Sequence, residues 1–430
     1  MEDKENKGSN LLKKAKKTGD QIKKYSTVCS NAVINFISTY WFYLALAAVV
    51  ILNLILNIRV YGYVSGDMNS FLIPWYRNFY ENGIKDSLAT MIGDYTPSYL
   101  YFMALISLFR VNPDSMSYVY ALKTVSLVFE YGSAVLILFM ALKISKDNKL
   151  LALLSFSLSL FAPTIFLNSG FWGQCDAIYS FFLVLALFLL IYNHPSWAFF
   201  VTGISFSFKL QSVFFFPFLL YVILNKKAKW RHILWIPIAY ILMMLPSVFC
   251  GRSFSEVMGV YFRQSGSYPY LTLNAPTVYT FISNTGSQHV SSNALLNGVT
   301  FFGLTMTGLA FVFIYVKKKD PDVKDLIEIA YLFALLIPFV LPRMHERYFY
   351  LADIFACAML IVNPKKFYIP LLSLTGSLSG YITYLTDVRW IDNDTSATLR
   401  LGALLIGAAI ILTLVDLSKK PVIKEDIKES

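Results

Sequence analysis

Apolar runs recur from about residue 36 to residue 416, and short basic clusters separate them. Runs of that length and number make the chain an all-α protein that crosses a membrane many times. Its composition, 56% apolar and only 15% charged, excludes a soluble domain. The net charge of +11 would suit a nucleic acid, but the lysines lie between the apolar runs, as the enrichment of Lys and Arg in cytosolic loops requires. No nucleic-acid partner is expected.

The same charges orient the chain. Residues 1–35 read as a basic cytosolic tail, with no compact apolar core ending in a cleavage site. Lys13, Lys14, Lys16 and Lys17 there suit anionic lipid heads. A first crossing near Trp41–Ile58 then leaves the cytosol. Later clusters at Lys143–Lys149, Lys226–Arg231, Lys317–Lys319, Lys365–Lys366 and Lys419–Lys420 all return to it if Tyr99–Val111 does not cross. That stretch is shorter than a crossing needs and is bracketed by Pro97 and Pro113, so it is expected as a helix on the outer surface. About twelve transmembrane helices follow, with surface helices in the first extracytoplasmic loop and both termini cytosolic. Residues 36–250 are expected as one membrane module and 251–430 as further membrane helices. Internal repeats are not evident.

Four polar knots interrupt the apolar pattern, with Asp94 in the same loop as the first, and this topology puts all of them outside. Asp67 in GDMNSF opens a short amphipathic helix, where an aspartate either caps the helix or serves as a base. Asp94 precedes Tyr95, Thr96 and Pro97, a sequence that suits a turn as well as a site. Gln174 and Asp176 stand at the mouth of a long apolar helix, where a carboxylate must face protein or a water-filled cavity. Lys209 and Gln211 sit among phenylalanines, where a lysine either snorkels or meets an anion. Finally, PRMHERYF gathers Arg343, His345, Glu346 and Arg347 within about one turn on a face that otherwise holds few clustered charges. Arginine forks fit phosphate, and Glu346 would orient them. HER is not the HExxH zinc pattern, and the four cysteines show no metal-ligand spacing.

Taken together, GDMNSFLIPW, GDYTPSYLY, FWGQCDAIYSFFLVLAL, FKLQS, LTLNAP and LPRMHERYFY cover much of residues 60–350. In this order they resemble the GT-C superfamily of polyprenol-phosphate-sugar glycosyltransferases, and most closely the bacterial relatives of GPI mannosyltransferase II. The resemblance implies a multi-pass protein of the bacterial plasma membrane with an extracytoplasmic site. Its donor would be a sugar, mannose favoured, on a polyprenyl phosphate, and its acceptor a hydroxyl on a glycan, lipid or protein. It makes Asp67 the base, with Asp176 and Asp94 as the other catalytic candidates. Arg347, His345, Lys209 and Arg343 would bind the donor phosphate, and Gln174, Gln211 and Glu346 would support them. Leu210 stands where relatives often carry proline after the lysine. No obligatory metal or other cofactor is expected. A transporter or flippase of a lipid-linked sugar is the competing class.

Overall fold

The computed structural model describes residues 2–90, 92–93, 95–264, 268–283, 286–386 and 395–419. The chain divides into two compact units, residues 1–54 and 55–430. The first is helical: α1 (Glu2–Val60) begins in it, so the expected basic tail is continuous with the apolar span Val33–Val60.

In the second unit almost every apolar run is a helix, the only way an isolated segment satisfies its own backbone in hydrocarbon. The segment after α1 forms α2 (Ile73–Ala89) and α3 (Pro97–Ser107). Then come α4 (Met116–Ile144), α5 (Lys149–Phe161), the single turn α6 (Pro163–Phe166), α7 (Asp176–Ile191), α8 (Pro195–Phe208), α9 (Phe216–Leu224) and α10 (Trp235–Phe249). Two short helices follow, α11 (Phe254–Met258) and α12 (Val260–Gln264). The chain closes with α13 (Asn293–Lys317), α14 (Val323–Val340), α15 (Tyr350–Val362), α16 (Tyr368–Leu385) and α17 (Thr395–Ser418). The long apolar runs are thus helical, but the expected count of about twelve crossings is not reached by helix length and apolarity. Five helices are long and apolar enough to cross alone, or six if the pair bent by 44° between α5 and the segment Pro163–Trp172 is one span.

Packing sorts these helices. α14 and α15 are buried nearly throughout, and α15 touches α5, α14 and α16. α16 and α17 meet through glycine: a Cβ on Gly376 would lie 2.7 Å from the Gly402 carbonyl, and one on Gly402 2.0 Å from Ser379 Oγ. Such small-residue contacts bring backbones together where lipid gives apolar side chains no reason to associate. α13 behaves oppositely, with only 11% of its apolar window buried.

Two expectations need adjustment. α3 spans only 11 residues, as its flanking prolines require, yet Tyr99, Leu100, Met103 and Ala104 are buried rather than lying on a surface. It packs against α2, α4, α8 and α10. The fold is also not wholly helical. β1 (Tyr270–Leu273) pairs antiparallel with β2 (Ser287–His289) and parallel with β3 (Met344–His345), in the order β2-β1-β3. Strands of two to four residues carry too little alternation to be read from sequence.

If the loops sort as the lysines indicate, a cysteine at exposed Ser287 labels with an impermeant thiol reagent on intact cells, and one at exposed Asp147 does not. Labelling at 147 in sealed cells would overturn the orientation.

Candidate functional site

Two π-helical turns, each carrying one more residue per turn than an α-helix, frame the site. Such turns recur at functional positions. The first, Met68–Leu72, follows directly on Asp67. The second, Leu167–Trp172, ends at Gly173, whose left-handed backbone (φ +80°) turns the chain toward Asp176. A Cβ at Gly173 would meet Met68 Cε at 2.5 Å, so the two turns abut there, and the positive φ favours glycine.

Lys123 of α4, fully buried, joins the second turn to the segment that leads into the first. Its Nζ donates to the carbonyls of Tyr61 (3.2 Å), Tyr63 (2.7 Å) and Phe171 (2.9 Å). Sequence alone suggests only an interhelical contact for this lysine. Ser65 Oγ adds a bond to the Trp172 carbonyl (2.9 Å).

Held this way, Asp67 does not cap its helix. Its Oδ2 accepts from Trp172 Nε1 (3.1 Å) and Gln174 Nε2 (2.5 Å), and its Oδ1 from the Tyr384 hydroxyl (3.2 Å). The Trp172 and Tyr384 rings stack at 4.8 Å. Asp67 is half-buried, so the carboxylate has an open side.

Asp176, at the first turn of α7, is completely buried. Lys209, at the end of α8, donates to its Oδ1, and Asn168 Nδ2 to its Oδ2 at 3.1 Å. Asn168 also donates to Tyr381 Oη (3.0 Å). Arg347 Nε lies 3.9 Å from the same Oδ2, while its guanidinium donates to Glu346 Oε1 at 3.1 Å and rests 5.4 Å from the Trp172 ring. Lys209 therefore answers a protein carboxylate, neither snorkelling nor standing alone. Burial works against a charge on Arg347, but Glu346, Tyr95, Tyr348 and Asp176 together outweigh it and hold the pKa well above its ordinary value. Burial pushes the Glu346 carboxyl up to about 7, with Arg347 pulling against it. Burial, then Arg347 and Lys209, hold His345 well below its usual range, and its ring packs against Tyr268 and Tyr348.

Asp67, Gln174, Lys209, His345, Glu346 and Arg347 line a cavity of about 260 Å³. Phe71, Trp75, Tyr95, Tyr268, Tyr348 and Tyr384 give it aromatic walls. Trp75 fits because Gly93, at φ +67°, has no side chain: a Cβ there would fall 2.2 Å from the indole. The small sheet brings the loop after α12 to this wall, pairing Leu273 with His345.

The expected residues are not all together. Arg343 and Gln211 line a second cavity of about 250 Å³, which shares Gln264, Tyr268 and Tyr348 with the first. Asp94 lies outside the described residues. Sequence reasoning missed Trp172, Asn168, Tyr381 and Tyr384. Tyr381 and Tyr384, three apart on α16, carry the only available signal, two phenols on one face of a C-terminal helix. Compared with family models and with curated proteins, the chain matches none.

The fold favours the protonated form of Glu346, so its contribution to stability is full below the ordinary carboxyl range and is lost as pH rises through about 7. Thermal unfolding from pH 4.5 to 8 is expected to show this decline, and Glu346→Gln to flatten it. An unchanged slope would remove Glu346 as its source.

Proposed function

We propose that the protein is a membrane glycosyltransferase that moves a sugar from a polyprenyl-phosphate donor to an acceptor hydroxyl on the extracytoplasmic face, with inversion. Mannose is favoured by the resemblance. In this reading the bundle makes about twelve crossings, some from paired short helices, in the GT-C manner.

The observation that carries the proposal is a continuous change of chemistry along three adjoining cavities. The Asp67 cavity is polar and aromatic, as a pyranose requires. The second, with Arg343, Gln211 and Thr300, lies next to it. It shares Val213, Phe214 and Leu341 with a third cavity of about 620 Å³, walled by Leu220, Leu304, Phe311 and Ile337. Sugar, phosphate and prenyl chain present the same succession. Leu304 and Phe311 belong to α13, the helix most exposed for contact with lipid, which supports entry of the chain from the bilayer.

In the reaction, the acceptor oxygen attacks the anomeric carbon as the bond to the phosphate oxygen breaks. Asp67 takes the hydroxyl proton. Trp172 and Gln174 occupy Oδ2, which leaves Oδ1, beside Tyr384, as the basic atom. Arg343 and Arg347 face the departing phosphate, and cationic stabilisation there is commonly a large part of catalysis. Asp176 acts through others: its pairing with Lys209 and proximity to Arg347 hold both cations against the cavity wall. A transporter of the same lipid would share the cavities but would not need a carboxylate held by three donors.

The direct test incubates purified protein with undecaprenyl-phosphate sugars and an acceptor mixture and measures freed lipid phosphate. Asp67→Asn is expected to lower the rate at least about a hundredfold, the minimum for a lost general base, with donor binding retained. Activity within a few-fold of wild type would exclude Asp67 as base. Arg343→Ala is expected to weaken donor binding by about 1.5–3 kcal/mol, the scale of a hydrogen bond to a charged group. Unchanged affinity would move the phosphate elsewhere.

A further inference from the structure

Near its C-terminal end α16 carries two phenols, Tyr381 and Tyr384, and each is tied to one of the two site carboxylates. Tyr381 Oη accepts from Asn168 Nδ2 at 3.0 Å, and the same amide donates to Asp176. Tyr384 Oη donates directly to Asp67 Oδ1 at 3.2 Å. Both rings also pack on Trp172, Tyr384 stacked at 4.8 Å and Tyr381 edge-on at 5.7 Å. The Trp172 indole in turn donates to Asp67 Oδ2. One helix therefore supplies the hydroxyl on Oδ1 and braces the indole on Oδ2.

Close packing fixes that helix at the cavity. A Cβ on Gly380 would lie 2.8 Å from the Asn274 carbonyl and 3.0 Å from Glu346 Cβ, so α16 approaches the end of β1 and the residue after β3 more closely than a side chain permits. The donors on Asp67 can then be counted. An ionised carboxylate offers about four lone-pair sites. Among the described residues three donors reach Asp67, with Trp172 and Gln174 on Oδ2 and Tyr384 on Oδ1. One site remains, and it belongs to Oδ1. Asp67 and Tyr384 both line the 260 Å³ cavity.

We propose that Tyr384 is a positioning residue: it fills one lone pair of Asp67 Oδ1 and leaves the other as the single place on this base where an incoming hydroxyl docks. The role in transfer rests on the glycosyltransferase reading. In that reaction the acceptor proton passes to the open lone pair of Oδ1, the acceptor oxygen bonds to the anomeric carbon, and the electron pair of the breaking bond leaves with the phosphate. Tyr384 keeps its own proton throughout. Without the phenol, Oδ1 has two open directions and the acceptor is no longer fixed against the anomeric carbon. Misplacement of a reacting group lowers the rate of the chemical step. Donor binding is untouched, because the phosphate contacts lie elsewhere.

The first measurement needs no substrate. The full chain is treated with a water-soluble carbodiimide and glycinamide, and the adduct on Asp67 is followed by peptide mass spectrometry. Tyr384→Phe keeps the ring on Trp172 but uncovers Oδ1, so Asp67 is expected to label several-fold faster than in wild type. Equal labelling rates would overturn the proposal. The second measurement is kcat and donor KM with undecaprenyl-phosphate sugars, where Tyr384→Phe is expected to lower kcat about tenfold or more with donor KM unchanged. A merely structural role would not divide the two constants in this way, and an unchanged kcat would also overturn the proposal. Faster labelling in the variant, beside a wild type that frees no lipid phosphate, would support the brace on Asp67 and overturn the glycosyltransferase reading instead.

Discussion

Lys123 is the contact on which the site depends. One ammonium with three donors joins the segment after α1 to the second π turn, satisfying carbonyls on both. It places Trp172 where its indole reaches Asp67 and fixes the start of the turn that delivers Asp176. Deep in a helix bundle a lysine is costly unless every donor is used, and here every donor is. The charge that loads this helix also sets the geometry of two carboxylates that it does not touch.

The electrostatics of the cavity follow from a similar economy. Asp176 and Lys209 are deep and paired, Arg347 lies between Asp176 and Glu346, and His345 is neutral. Cation and anion therefore nearly balance around the first cavity, while Arg343 fronts the second. That distribution suits a ligand whose sugar is uncharged and whose phosphate lies one step further along. It also makes Glu346, with a pKa near neutrality, the group that tunes the balance.

Much of this was legible from residues. Hydrophobic runs located nearly every helix, the rule that intramembrane charge seeks protein or water singled out Asp176, and the density of charge on a face otherwise poor in basic clusters singled out the MHER segment. What sequence did not carry was pairing. Lys209 reads as a snorkelling or ligand-binding lysine until α8 is laid beside α7, and Arg343 and Arg347 read as one cluster until β3 turns them toward different cavities. Tyr384 is invisible as a partner of Asp67 because 317 residues separate them. Short strands left no periodicity, and the lengths of α8 and α9, at 14 and nine residues, blur the count of crossings.

The two π turns have one more consequence. Each holds one residue beyond what a regular helix needs, so site geometry depends on residue count as well as residue type. Removing any single residue from Met68–Leu72 or Leu167–Trp172 would let the turn relax to α and rotate its neighbour by about 100°, one residue's angular step. Asp67 or Trp172 would then point away from the cavity with every side chain still present. Chains of this kind can gain or lose such a site by a one-codon insertion or deletion, an event that tallies of residue identity at aligned positions do not register.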